Sequence, residues 1–444
     1  MGLFRKKSKL TKSQAIDLLV SYLVGNSPVV FYNYDSEDFI KKGYSSNAEI
    51  YSIIKKITDK CNVSTPYVYI DREGVKSNRS MVTATRKQRN SVYGVARHNM
   101  SVRKALDYAP DDSDISKLLV NPNETQTWRE FITLSRIFYF VQGEMFWWRH
   151  AGNDNCALSL HIAPAQRMQP ILTNNKLSGW RMNKIGGGTR DFDLEDVFHF
   201  KMPNPNYDDN LSFLRGMSPL LAGLKYLQLS DKSLEAWIKS MQNEGAKGIV
   251  SPNHPNPELW LTPDQVAKTE DSVRTKIEGV ENRNKIVVSG MPLQYTQIGL
   301  SPDALNIIKG LDQAGVKLCD LWGVPAVLFD PNPTYQNQKE AGKRFVLEVV
   351  LPYLNAEEDK INQWLVAPFA QRDGIKYTID YDLSAYDELR LDLEDAEAML
   401  KTHTINEVRV MLGSDELEED YANQVFISQG MVPLSDYAIE STQI

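Results

Sequence analysis

From Gly216-Met217-Ser218-Pro219 onward, Leu220, Leu227, Leu234, Ile238 and Met241 recur on one side of a helical projection, and Lys225, Lys232 and Lys239 recur on the other. The pattern predicts an amphipathic helix over 216–246 with one packed face and one basic face. Ser218 suits the N-cap, Pro219 the first helical position, and the glycines at 245 and 248 the end. Ser301-Pro302 repeats that start. Leu305, Ile308, Leu311, Val316, Leu318 and Trp322 then predict a second helix to Gly323, which also carries Lys309 and Lys317. Between the two helices, strand patterns at 248–250, 285–289 and 293–298 surround a helix opened by Thr262-Pro263. Two Ser-Pro helices thus bracket an αβ insert, an arrangement that projects the insert on a two-helix stalk.

The flanking segments read as a mixed α+β body. Helical spacing predicts helices at 11–24 and 46–61, the latter through Ile50, Ile53, Ile54 and Ile57, and residues 66–71 read as a strand. A turn at Asn121-Pro122-Asn123 leads into a helix from Trp128 to about Val141. Strand patterns at 144–150, 158–162, 168–172, 179–183 and 197–201 predict one small antiparallel sheet, and Gly186-Gly187-Gly188 reads as a hairpin tip because no helix start follows it. Residues 330–338 form a polar, proline-punctuated loop before a helix over 339–366. A strand at 376–381 and helices at 389–401 and 405–412 complete the chain.

Charge changes the picture in two places. No acid occurs from Thr85 to Lys104, where Arg86, Lys87, Arg89, Arg97, Arg103 and Lys104 accumulate, so this segment reads as a solvated loop or as a DNA contact; the loop is favoured because aromatic interleaving is limited to Tyr93. Between Asp380 and Asp420 the balance reverses to fourteen acids against three cations. Over all 444 residues the net charge is −7, which argues against tight phosphate neutralisation. The three cysteines, Cys61, Cys156 and Cys319, are scattered, so neither a disulfide framework nor a thiolate metal site is expected, and a reducing compartment fits. No apolar run approaches a membrane span, and the cationic start at Arg5-Lys6-Lys7 reads as a short basic arm.

Catalytic signatures are near misses. Ser218 lacks the second glycine of a nucleophile elbow, and Pro219 has no N–H for an oxyanion hole. The six histidines form no i,i+3 or i,i+4 pair, and His199 is expected to be a hydrogen-bonded structural residue. Asp392, Glu394, Asp395 and Glu397 invite a two-metal site, but their helical spacing reads as a solvated face. The lysine stripe at 225, 232 and 239 is either the wet side of a helix or a contact for an acidic partner.

The order of fragments carries more than any one of them. Asn121-Pro122-Asn123 with Trp128, Ala163-Pro164, Glu195-Asp196-Val197-Phe198-His199, Gly216-Met217-Ser218-Pro219-Leu220, Gly245-Ala246, Gly323-Val324-Pro325, Tyr335-Gln336-Asn337, Leu351-Pro352, and Asn406-Glu407-Val408-Arg409 with Gly413 follow one another over about 121–433. In this succession the chain resembles the portal proteins of tailed bacteriophages. The resemblance implies an α+β portal fold assembled as a ring, commonly of twelve subunits, at one capsid vertex, through which double-stranded DNA is packaged and ejected. It implies an arm and wing over 1–215, a first stem helix over 216–246, a clip over 247–299 and a second stem helix over 300–323. A tunnel loop over 324–338, a long helix returning to the wing over 339–388, and a helical crown and tail over 389–444 complete that division.

Particular residues inherit roles from the same resemblance. Asp330, Asn332, Thr334, Tyr335, Gln336, Asn337 and Gln338 fall where DNA passes the constriction; Lys225, Lys232, Lys239, Lys309 and Lys317 fall on channel or subunit contacts; and Trp260, Arg274, Lys276 and Arg283 fall on the docking surface of the clip. The implied partners are further copies of the chain, the DNA, the major capsid protein, the terminase motor and then tail or adaptor proteins. The implied location is the virion, after assembly in the host cytoplasm, with no cofactor, metal or membrane. A conduit must let DNA slide, and an acidic chain with a loop of Asn, Thr, Tyr and Gln suits weak, sequence-blind contact. Two other readings stay open: a metal-dependent DNA-processing enzyme using Asp392 and Asp395, and an adaptor that does not encircle DNA.

Overall fold

The computed structural model describes residues 39–72, 78–173, 176–207, 212–242, 307–391, 393–412 and 414–427, together with the short pieces 248–252, 262, 264, 267–268, 271, 293–297 and 432–433. The core begins at α1 (Ala48–Cys61), where Asn47 caps by accepting from the Ile50 N–H at 2.9 Å. Ile50, Ile53, Ile54 and Ile57 form one fully buried stripe, as their spacing predicts. β1 (Pro66–Asp71) follows. It pairs antiparallel with β2 (Leu106–Tyr108) on one side and with β11 (Tyr377–Tyr381) on the other, so distant parts of the chain close one sheet.

The basic segment is not a loop. It forms α2 (Asn78–Arg86) and α3 (Val92–Ala105), the second capped by Ser91. Arg89 and His98 are buried, and Arg86 is largely so. Acids that lie far away in sequence neutralise these cations, which is why their local density misled. After α4 (Asp114–Val120), a capping box of Thr127 and Glu130 opens α5 (Trp128–Gln142). That helix stops at Gly143, with φ +82°. A Cβ at Gly143 would stand 2.3 Å from the Met217 carbonyl oxygen, so only glycine lets the chain leave the helix at this point.

The strand region is two sheets and not one. β3 (Glu144–Ala151) lies between β4 (Ala157–Ala163) and β8 (Val197–Lys201), while β6 (Lys176–Asn183) lies between β5 (Met168–Thr173) and β7 (Thr189–Asp193). β7 escapes the hydrophobic pattern because Phe192 is its sole buried residue. Gly186-Gly187-Gly188 form the β6–β7 tip as expected, closed by Lys184 N–H donating to the Gly188 carbonyl at 3.0 Å. Trp147 on β3 packs over α5 and donates from Nε1 to Ser135 Oγ at 2.7 Å.

The predicted helix over 216–246 divides into α6 (Pro219–Ala222) and α7 (Leu224–Gln242). The break falls at Gly223, where a Cβ would stand 2.2 Å from Cδ1 of Leu321, a residue of the turn that follows the returning helix. Leu220 and Leu227 are buried, but Leu234 and Ile238 are exposed in the single chain, so the packed face ends partway along. β9 (Gly248–Pro252) pairs antiparallel with β10 (Leu293–Gln297), matching two of the three predicted insert strands. The helix at 11–24, the insert strand at 285–289, Ser301-Pro302 and the glycines at 245 and 413 lie outside the described residues, as does nearly all of the predicted insert helix.

α8 (Ile307–Asp320) returns to the body, and Asp330 to Thr334 form the loop. Tyr335 to Gln338 do not belong to it. They are the first turn of α9 (Tyr335–Phe345), with Thr334 Oγ1 accepting from the Asn337 N–H at 3.4 Å. α9 runs through a π-helical turn at Val346–Val350 into α10 (Leu351–Ile361), and through a second at Asn362–Val366 into α11 (Ala367–Asp373). Each wide turn ends two residues before a proline, Pro352 or Pro368. Proline lacks an N–H and crowds the carbonyl one turn back, so a looser turn keeps the helix continuous. After β11, α12 (Leu393–Met399) and α13 (Ile405–Met411) form the C-terminal unit, with a Thr404–Glu407 capping box on α13. Val410 and Met411 pack against Ala96 and Met100 of α3.

Candidate functional site

α7 and α8 form an antiparallel hairpin. Gly223 lies against Leu321, and Gly310 lies closest to Ser233, so the pairing runs in opposite directions. Its root is pinned to the first turn of α1: Ser230 Oγ donates to Glu49 Oε2 at 2.5 Å, and Asn47 Nδ2 donates to Asp231 Oδ1 at 3.0 Å. Burial, together with Asp231 and Asp312 nearby, raises the Glu49 carboxyl. Lys225, Lys232 and Lys317 are exposed; Lys232 pairs with Glu235 and Lys317 with Asp320, each at 3.0 Å. Exposed i,i+3 pairs of this kind stabilise little. The side chains of Lys239 and Lys309 lie outside the description.

The polar loop has a fixed base and a free tip. Trp322 Nε1 donates to the Phe140 carbonyl at 2.9 Å, and Lys56 Nζ donates to the Leu328 carbonyl at 2.7 Å while lying 4.8 Å from the Phe329 ring centroid. Beyond that anchor Asp330, Asn332, Thr334, Tyr335, Gln336, Asn337 and Gln338 are all exposed, Tyr335 at 83%. All seven are therefore open to solvent, although four of them sit on the first turn of a helix. Trp260, Arg274, Lys276 and Arg283 lie outside the described residues.

Two buried polar clusters lie within the body, and neither was legible as a cluster. At the stem entry, Glu144 accepts from Arg215 Nε at 2.7 Å and from the Gly216 N–H at 2.8 Å, and its Oε2 lies 3.0 Å from His199 Nε2. Arg215 also donates to the Ala165 and Met168 carbonyls at 2.7 and 2.6 Å. Burial opposes charge on Glu144, but His199 and Arg215 outweigh it and hold the carboxyl below its usual range; burial lowers His199. His199 is thus structural, as expected. Ser218 Oγ accepts from the Leu220 N–H at 3.2 Å and donates to the Val141 carbonyl at 2.6 Å, which is a cap and an anchor rather than a nucleophile. Glu144→Gln removes a charged acceptor from three donors, so about 2 kcal/mol of stability is expected to go, read as a lower urea midpoint.

The second cluster lies under α10, whose adjacent acids serve different arginines. Arg136 Nη2 and Nε donate to Glu357 at 2.5 and 3.2 Å, and Arg136 Nη1 donates to Asn62 Oδ1 at 2.6 Å. Tyr353 and Tyr381 hydroxyls complete the Glu357 shell at 2.5 and 2.6 Å. Glu358 meets Arg86 and, at 3.0 Å, Arg89; Asp380 takes Arg89 at 2.9 Å, Arg86 at 3.3 Å and His98 Nε2 at 2.9 Å. Burial and then the Asp380 charge push Glu358 up to about 8. Burial also opposes ionisation of Asp380, but His98 and the guanidiniums hold it well below the carboxylate range. These cations neutralise internal acids and are not offered to DNA.

Among the described residues no group of His, Cys, Asp and Glu could hold a metal ion, and no helix is long and apolar enough to cross a membrane. Asp392 lies outside the described residues, and the Asp395 side chain is not described. What the geometry presents is a scaffold: a helical hairpin tied to the body, an anchored polar loop and a body locked by buried charge. Residues 98–413 match the family model for the phage portal protein, and the chain belongs to that family. Its role is that of a portal, the channel component at a capsid vertex. An uncharacterised protein of Rickettsia bellii is 22% identical over 317 residues, covering 69% of this chain and 79% of that one. Among solved structures, a chain in the neck of an empty GTA particle aligns with a TM-score of 0.60 at 19% identity, over 91% of this chain and all of that one. A chain in the neck of a native GTA particle, computed with C12 symmetry, aligns with a TM-score of 0.57 at 18% identity, again over 91% of this chain and 100% of that one. These likenesses carry the fold.

Proposed function

We propose that the portal role is performed by a closed ring of this chain, twelve copies set head to tail, with α7 and α8 as the stem around the channel. The observation that carries this reading is the apolar surface of the stem. Leu234 and Ile238, four positions apart on the same side of α7, are both exposed in one copy, a face that a neighbouring copy would cover. The C12 symmetry of the similar GTA neck supports the number. Lys225, Lys232, Lys239, Lys309 and Lys317 then face the channel or the next subunit. Double-stranded DNA passes the exposed group from Asp330 to Gln338, whose neutral polar side chains make only weak phosphate contacts. Residues 247–299, with Trp260, Arg274, Lys276 and Arg283, receive the terminase motor during filling and tail or adaptor proteins afterwards, while the body meets the major capsid protein. Assembly in the host cytoplasm and a purely structural, non-catalytic role complete the proposal.

Negative-stain imaging of the purified protein tests the ring directly: closed particles with a central hole are expected, and a stable monomer across salt concentrations would overturn the reading. Deleting residues 331–333 keeps the Thr334 cap and the anchored base, so rings should form normally while genome filling or retention falls. Equal loss of assembly and filling would remove the DNA-facing assignment of this loop.

A further inference from the structure

The sheet β4-β3-β8 has two outer edges, and they differ. On β4 the Leu160 N–H donates to the Pro122 carbonyl at 2.7 Å, and the Leu160 carbonyl accepts from Asn123 Nδ2 at 2.9 Å, so the turn before α5 closes that edge. On β8 no strand among the described residues pairs with the outer side. Met202 N–H donates to the Gly143 carbonyl at 2.7 Å, so by alternation Phe198 and Phe200 also bond β3, while Val197, His199 and Lys201 direct their backbone groups outward. The Leu194 carbonyl accepts from the Val197 N–H and ends the open stretch. Among the described residues, the N–H groups of His199 and Lys201 have no backbone partner on that side. Such an edge is a template for an added strand.

A cavity of about 620 Å³ lies along the same edge, lined by every residue from Val197 to Lys201. Successive strand residues point to opposite faces, so a cavity touching all five lies on the edge of the strand and not over either face. Trp180, whose ring centroid is 4.8 Å from that of His199, flanks it on one side, and Trp364, 5.5 Å from Phe198, flanks it on the other. An occupant between two such rings gains by carrying apolar, β-forming side chains. Charge adds a second requirement. Among the described residues two lysines, Lys201 and Lys360, line the cavity and no carboxylate does. Lys201 Nζ donates to the Phe213 carbonyl, whereas Lys360 forms no ion pair among the described residues. The open ladder, the aromatic flanks and the unpaired ammonium together define an extended, apolar and acidic ligand.

We propose that the outer edge of β8 is a docking site for a different protein, an extended segment of which adds as a fourth strand and sets a carboxylate against Lys360. The backbone ladder supplies affinity, and the lysine selects acidic segments over basic ones. Amide exchange on the full-length protein tests it, with the blocked peptide Thr-Val-Asp-Val-Glu-Val as the probe. Without peptide, in the single chain and in the ring, His199 and Lys201 should exchange much faster than Phe198 and Phe200. At millimolar concentration the peptide should slow both about ten-fold, the factor that roughly ten times Kd gives. A peptide with lysine in place of both acids should protect less, and Lys360→Glu should reverse the order of the two peptides. No slowing by the acidic peptide, or an order that Lys360→Glu leaves unchanged, would overturn the proposal. Slow exchange at His199 and Lys201 in the single chain without peptide would mean that the chain covers its own edge. Slowing that appears only on ring closure would assign the edge to a neighbouring copy, and either result would overturn the proposal as well.

Discussion

Replacing Leu234 and Ile238 together by aspartate is expected to abolish ring assembly while leaving the single chain folded. Both side chains sit on α7 with 43% and 44% of their surface exposed, so neither contributes much to the core of one copy. Burying the remainder against a neighbour is worth roughly 1 kcal/mol per residue, about half of a full Leu or Ile burial. The new carboxylates weigh more heavily, because closing the ring over an unpaired charge costs several kcal/mol. The penalty recurs at every subunit junction, and a closed ring forms only if every junction does. Sedimentation or mass measurement at micromolar concentration should show monomers, with a denaturation midpoint close to wild type. Rings of normal size would show that this face is not the subunit contact. Lys225→Ala on the same helix serves as the control and should leave assembly unchanged if that lysine faces the channel.

The largest effect on the fold is expected from Arg136→Met. Arg136 is fully enclosed and supplies Glu357 with a two-point ion pair, and it also donates to Asn62. Removing one partner of such a pair leaves the other buried and uncompensated, which costs about 3–5 kcal/mol. A loss of that size is a large part of the net stability of an ordinary domain. It should appear as a marked fall in urea midpoint and in the yield of folded protein. Arg136→Met with Glu357→Leu removes both charges and should recover much of the loss, although the Tyr353 and Tyr381 hydroxyls then lose an acceptor. A single-variant loss below about 1 kcal/mol would show that the buried Glu357 carboxyl does not depend on this guanidinium.

The same clusters mark where local reading stopped. Arg86 and Arg89 lie in a stretch without acids, and their partners Glu358 and Asp380 are some 270 and 290 positions away. Nothing within a helical or strand period of Arg89 hints at them, so the segment read as a solvated loop and turned out to be two packed helices. Tyr335 to Gln338 misled in the opposite way. Their polarity suggested loop, but Thr334 is a sound cap and the turn forms while every one of its side chains stays exposed. Glu144 and Arg215 gave no signal, since a glutamate opening a strand and an arginine before a glycine are ordinary surface choices until the fold buries them together.

By itself the chain determined what depends on neighbours within a turn or a strand. The Ser218-Pro219 start, the isoleucine stripe of α1, the glycine hairpin tip and the paired helices around the insert all rest on short-range spacing and caps. The succession of those fragments was enough to point to the portal family. Tertiary structure alone decided where the apolar face of α7 ceases to be covered, which cations are internal, and which strand keeps an open edge. Those properties depend on contacts between residues far apart in sequence, and periodicity carries no information about which distant partner arrives.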